Sequence, residues 1–285
     1  METLRRKPSP IAPRERKGNK KHTVKDLLGL MARLRRPSGC PWDRQQTENT
    51  LKKYLIEEAY EALEAIEVGS REELKEELGD LLLQIIFLCR VYEEKGHFSF
   101  SDVVHTLAEK LIRRHPHVFP PSKRDESRAK PRDAQEVVEI WRGLKELEEK
   151  NTGKAYLLDG IPLSLPALER AQRISERVSR AGFDWPSIGG VWKKAQEEMA
   201  EIKKAEVNSP SEAVAEEFGD LLFTLVNWAR FKEISAEDAL RKANRRFIQR
   251  FQEVEAELRR RGRTPEESTL KEMDQIWNET KKRKA

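Results

Sequence analysis

Two sets of acids, 140 positions apart, are the residues of this chain best placed to do chemistry. The first comprises Glu57, Glu58 and Glu61, then Glu77 and Asp80 within EELGDLL. The second comprises Glu197, Glu198 and Glu201, then Glu217 and Asp220 within EEFGDLL. On a helix, residues three and four apart share a face. Glu58 and Glu61 therefore project together with Glu57 on the same rim, and Glu77 and Asp80 share a face of the next helix. Carboxylates packed this closely in a groove repel one another unless a cation compensates them. Donors that are all oxygen favour a hard ion, Mg²⁺ or Mn²⁺. With 37% of its residues charged, one such match would be an ordinary solvated helix face. Two matches in the same register, each followed by Leu-Leu, point to a metal site acting on phosphates.

Other chemistries lack their residues. No G-x-x-x-x-G-K-[ST] loop is present, and no G-x-S-x-G elbow. A di-iron bundle needs Glu-x-x-His pairs, and neither acid motif contains a histidine. His115 and His117 flank Pro116 and read as capping or packing groups.

The elements that must carry the acids follow from periodicity and punctuation. Thr23 and Asp26 form a capping-box pattern opening a helix with Leu27, Leu30, Met31 and Leu34 on one face. Pro37 to Gly39 end it, and GCPWDRQQT reads as a loop. One acid-bearing helix is expected over Glu48–Glu67 and the other over Arg71–Lys95. The break at Val68-Gly69-Ser70 makes them an antiparallel pair. Helices from Ser101 to the proline at 116 and over Ala134–Lys150 complete a first unit, with a loop at 120–133. The order then recurs, with helices near Ala167–Arg180, Val191–Val207, 211–232, 236–261 and 269–284. Gly79 and Gly219 precede the aspartates and are unfavourable in mid-helix; close helix approach, or room for a ligand, would explain them. Nothing alternates at period two. The expectation is an all-α chain of two tandem related units, each built around an acid-bearing antiparallel helix pair. The expected boundaries are a basic tail at 1–22, a first unit at 23–150, a linker at 151–166 and a second unit at 167–285.

Charge is unevenly spread. The tail has eight Lys/Arg against Glu2 and Glu15, a surplus of six, so the rest of the chain sits near −1 of the overall +5. The tail reads as a solubilising segment, with nucleic-acid contact as its alternative use. The two cysteines, Cys40 and Cys89, form no CxxC pair, and the apolar run around Cys89 is far short of a membrane span. With no signal-peptide core at the amino terminus, a cytoplasmic protein without membrane partners is expected.

At the acid motifs the chain resembles the MazG family of nucleoside triphosphate pyrophosphohydrolases, of the all-α NTP pyrophosphatase superfamily. The resemblance extends to GCPWDRQQT, to RRHPHVF at 113–119, to KANRRF at 242–247 and to MDQIWNETK at 273–281, and covers roughly 23–285. It implies Mg²⁺-dependent hydrolysis of NTPs and dNTPs to the monophosphate and pyrophosphate, with Mn²⁺ as a substitute, by a homodimer. It implies metal ligation by Glu198, Glu201, Glu217 and Asp220, and by Glu58, Glu61, Glu77 and Asp80 in the first copy. Glu197, and Glu57 in the first copy, would orient water or hold a second ion. Lys194, Arg246, Arg250 and Lys281 would meet the triphosphate. Trp277 would stack on or border the base, or else be a core aromatic.

The basic complement differs between copies. Tyr54 stands where the second copy has Lys194, and Val118 aligns with Arg250. Arg114 matches Arg246, and Trp141 with Lys145 parallels Trp277 with Lys281. The second unit should therefore dominate hydrolysis, and broad cleansing of the nucleotide pool is the favoured role. The competing reading is a helical interaction module with vestigial acids and a nucleic-acid-binding tail. Such a module would show no Mg²⁺ response, and its DNA affinity would fall steeply with salt.

Overall fold

The structure, a computed structural model, describes residues 21–120, 131–150, 156–208 and 210–283, so most of the basic tail lies outside the described residues. The described residues form helices and no strands. The chain divides into two compact units, Met1–Leu144 and Lys145–Ala285.

In the first unit, α1 (Val24–Leu34) opens on the expected capping box: Asp26 N–H donates to Thr23 Oγ1, and Thr23 N–H donates to the Asp26 carboxylate. Residues read as loop contain a short helix, α2 (Pro41–Gln45), with Pro41 in its first turn, where a missing N–H costs nothing. The acid helices are α3 (Glu48–Val68) and α4 (Arg71–Glu94). Gly69 takes the left-handed conformation, φ 80°, that closes α3, and Ser70 Oγ accepts from Glu73 N–H to open α4. Two residues therefore reverse the chain, and α3 packs along α4. Helix α5 (Phe100–Arg114) ends at His115, and α6 (Ala134–Lys150) follows. Met31, Leu51, Ile86, Phe87 and Val91 form the core, with Tyr54 packed against it.

The first unit is braced by Arg35, whose side chain is only 8% exposed. Its guanidinium meets the Glu94 carboxylate through two nitrogens, at 3.0 and 2.7 Å, and donates to the Asp43 and Gln46 carbonyls. It also lies over the Phe87 ring, 5.4 Å from the centroid. One side chain thus ties the end of α1 and the α2 turn to α4. Gly39 permits the tight turn between them: a Cβ there would overlap the Leu34 carbonyl and come within 2.6 Å of Arg33 O.

In the second unit, α7 (Ala167–Arg180) packs on α9 (Ser211–Phe231), and α8 (Ile188–Asn208) pairs with α9 as α3 does with α4. Helix α8 starts at Ile188, three residues before the expected Val191, and Gly190 in its first turn lies against the Trp185 ring, 3.0 Å from a Cβ position. Helices α10 (Ala236–Arg260) and α11 (Leu270–Arg283) close on Val254, Leu258 and Ile276. The repeat is visible in burial. Gln84, Ile86, Phe87 and Cys89 are buried on α4, and Thr224, Val226, Asn227 and Ala229 are buried at the same offsets on α9. No described helix is long and apolar enough to cross a membrane.

Candidate metal centres

Each helix pair gathers three carboxylates. In the first unit, one oxygen each of Glu58, Glu77 and Asp80 lie within 4.8 Å of one another, from α3 and α4. In the second, the oxygens that converge are those of Glu198, Glu201 and Glu217, from α8 and α9, so that Glu201, the counterpart of Glu61, takes the place of Asp220. Glu61 adjoins the first group through a hydrogen bond between its carboxyl and that of Glu77. Asp220 lies one turn beyond Glu217 and is exposed. Glu57 and Glu197 are exposed on the rims. Three of the four expected ligands thus converge in each unit, with Glu61 outside the first group and Asp220 outside the second.

In the first group, burial pushes the Glu58 carboxyl above its ordinary range, and the charges of Asp80, Glu61, Glu77 and Glu57 push it further. Burial likewise raises Glu77, followed by the charge of Glu61 and the hydrogen bond to it. Burial is the larger cause in both, with the like charges of the neighbouring acids behind it. The donors are all carboxylate oxygens on both sides of a groove, so the residues fit a hard divalent ion.

The second group has a counter-ion of its own. Lys194 Nζ lies 2.7 Å from Glu197 Oε1, 2.8 Å from Glu198 Oε1 and 4.0 Å from Glu201 Oε2. Those carboxylates raise the Lys194 ammonium well above its ordinary range. Glu198 is only 3% exposed, so it depends on this partner. Burial raises Glu201, and a hydrogen bond with Glu198 adds to this, while the Lys194 charge pulls it back. Sequence spacing could have revealed this pairing, since positions 197, 198 and 201 lie three, four and seven residues after Lys194, on one helix face.

The other basic residues lie on α10 and α11. The α10 amino terminus is tied to α7, with Ala236 N–H donating to Gln172 Oε1 at 3.1 Å. Arg246 and Arg250 lie roughly 15 and 21 Å further along the helix at 1.5 Å per residue. Arg250 lies over the Trp277 ring, 5.9 Å from the centroid. Trp277 is half-buried against Val254, Leu258 and Ile276, with Phe247 at 5.1 Å, so one side of the ring is core. Lys281 belongs to α11, and its side chain lies outside the described residues, as does that of Lys145.

The aligned partner in the first unit shows the same ring contact. His115 meets Trp141 edge-on at 4.8 Å, where the second unit has Phe247 against Trp277. His115 Nδ1 lies 2.6 Å from Leu111 O at the end of α5, so this histidine caps and packs, as expected. Gly79 and Gly219 differ from one of the two expectations. A Cβ at either would meet nothing within 4 Å, so close approach of another helix in the chain does not explain them.

Comparison with known proteins supports this organisation. The family model described as the MazG nucleotide pyrophosphohydrolase domain matches twice, at residues 46–119 and 191–255, and each match spans one acid pair. A protein of Thermotoga maritima named nucleoside triphosphate pyrophosphohydrolase/pyrophosphatase MazG is 43% identical over 256 residues, covering 90% of this chain and 94% of its own length. The nucleoside triphosphate pyrophosphohydrolase of Escherichia coli K12 is 42% identical over 261 residues, covering 90% of this chain and 96% of its own. The chain belongs to the MazG family of nucleotide pyrophosphohydrolases, with two copies of the family's domain.

Proposed function

We propose that this chain hydrolyses nucleoside triphosphates, ribo and deoxy, to the monophosphate and pyrophosphate in a Mg²⁺-dependent reaction, with the second unit dominant. The observation that carries this is the convergence of Glu198, Glu201 and Glu217 across α8 and α9, repeated by Glu58, Glu77 and Asp80 across α3 and α4. Both groups lie inside the matched family domains. A bound Mg²⁺, or Mn²⁺ in its place, would neutralise the polyphosphate and lower the pKa of a coordinated water. Glu198, Glu201 and Glu217 would hold it, with Asp220 completing the set from the groove edge. Glu197, exposed beside them, would accept the proton of the attacking water. Lys194, Arg246, Arg250 and Lys281 would bind phosphate oxygens, and the exposed side of Trp277 would border the base. Second-unit dominance rests on Tyr54 and Val118, which replace two cations of this set in the first unit.

A broad substrate range and a role in cleansing the nucleotide pool of the cytoplasm fit two similar sites. A homodimer would cover the apolar side chains that the acid helices leave exposed, among them Leu78, Phe218, Leu222 and Leu225. Residues 151–166 would serve as the linker between units. The experiment is product identification with each NTP and dNTP, in Mg²⁺ and in EDTA. Monophosphate and pyrophosphate, formed only with metal, are expected. Diphosphate and phosphate would refute α–β cleavage. Absence of turnover, together with salt-sensitive DNA binding, would favour an interaction module.

A further inference from the structure

The same carboxylate oxygens serve two claimants in the second unit. Lys194 Nζ sits against Glu197 and Glu198 at 2.7 and 2.8 Å, with Glu201 at 4.0 Å. Glu198 and Glu201 are also two of the three residues whose oxygens converge for an ion. A divalent ion at that point would stand beside the ammonium, and the two cations would repel. The lysine is the one able to leave. Its side chain is 36% exposed, and its four-carbon stem can swing while keeping its charge in water. Among the described residues the first unit has no such occupant. Tyr54 stands at the matching position, with its ring packed on the core and edge-on to Trp42 at 6.1 Å.

We propose that Lys194 is a built-in counter-ion of the second site, which an entering divalent metal displaces from Glu198 and Glu201, so that metal loading releases an ammonium to bind phosphate beside it. This rests on the metal-dependent reading above and adds an order to it. Before loading, Lys194 neutralises the buried Glu198 and keeps the metal-free groove from repelling itself apart. After loading, the freed ammonium faces the polyphosphate oxygens. Metal therefore gates the phosphate contact in the second unit and has nothing to gate in the first. The free protein should also take up metal more weakly at the second site than at the first.

The test is Mn²⁺ binding by the full chain, followed by electron paramagnetic resonance, with Glu58→Gln and Glu77→Gln introduced so that the second site is read alone. Lys194→Met is expected to tighten Mn²⁺ binding by about five-fold, the scale of a partly exposed ion pair. Lys193→Met removes the same charge from the exposed neighbouring position and is expected to leave the affinity unchanged. An unchanged or weaker affinity in Lys194→Met, or equal tightening in both variants, would overturn the proposal.

A second readout needs no variant. Amine-reactive labelling of Lys194, quantified by mass spectrometry, should rise several-fold on adding Mg²⁺ and fall again on adding inorganic tripolyphosphate. Labelling that ignores Mg²⁺ also overturns it. Neither readout requires turnover, so a protein that passes both tests yet cleaves no NTP would sink the catalytic reading alone. An active enzyme whose Lys194 fails them would sink the counter-ion alone.

Discussion

The α3/α4 pair and the α8/α9 pair are the same device with different charge balance. Both place three carboxylates within 4.8 Å, and both bury α4 or α9 at the same offsets. What differs is what surrounds the acids. The second unit seats Lys194 among them, whereas the first carries Tyr54 there, and Glu58 and Glu77 are raised by burial and then by neighbouring like charges. The bracing differs too. The buried Arg35 guanidinium and the more exposed Glu94 lock the first unit, but the matching positions of the second hold Ser175 and Ile234, and its ion pair is instead Arg230 with Asp184. Apolar spacing and acid spacing define the hairpin, while the cations around it can change without changing the fold. The functional difference between the units should therefore lie in their basic residues.

That comparison breaks most readily at the braces. Arg35→Ala leaves Glu94 with Arg90 alone and strands two carbonyls, so a loss of about 3 kcal/mol is expected in the first unit. Arg230→Ala removes a pair of similar exposure but strands no backbone carbonyl, so it should cost the second unit less, about 1 kcal/mol. Urea titration followed by hydrogen exchange, peptide by peptide, assigns each loss to its unit. Equal losses would mean that the two braces are equivalent.

The glycines offer a smaller effect. Gly39→Ala forces a methyl into the Leu34 carbonyl and should destabilise the first unit by about 2 kcal/mol. Gly190→Ala meets only the edge of the Trp185 ring, which can move, and should cost less than about 1 kcal/mol. Gly79→Ala and Gly219→Ala meet nothing within 4 Å among the described residues and remove a mid-helix glycine, so a gain of about 0.5–1 kcal/mol in monomer stability is expected from each. If either weakens self-association instead, the open face it borders is covered in the dimer.

The smallest effect is in pH. The Glu58 carboxyl is raised in the folded protein, so protons bind the folded state more tightly than the unfolded one. Its stabilising contribution is complete below the ordinary carboxylate range and is lost as pH rises through the raised value. In EDTA the first unit should therefore weaken as pH rises above the ordinary Glu value of about 4.5. Glu58→Gln should flatten that decline, and Mg²⁺ should cancel it. A first unit that strengthens over this range in EDTA would contradict the crowding.

Much of this was legible in the sequence, because caps and periodicity are local. Thr23 with Asp26 marked the α1 start, Gly69-Ser70 marked the hairpin, and the acids marked the groove. The α2 helix was hidden because five residues are too few to show a period. The first turn of α8 was hidden because Gly189-Gly190 reads as loop until Trp185 packs on it. Lys194 was visible as a cation, but its place among the acids appears only once its helix neighbours are counted. The two-sided surroundings of Trp277 depend on Phe247, thirty positions away, and on how α10 meets α11.

The most direct measurement is Mg²⁺-dependent NTP turnover, read as monophosphate and pyrophosphate, in Glu61→Gln and Glu201→Gln side by side. Glu201→Gln should lose at least about 100-fold, since a ligand should cost no less than the groups that support one, while Glu61→Gln should lose less than about ten-fold. A greater loss from Glu61→Gln would contradict the account, because it would place the working site in the unit that lacks the cations.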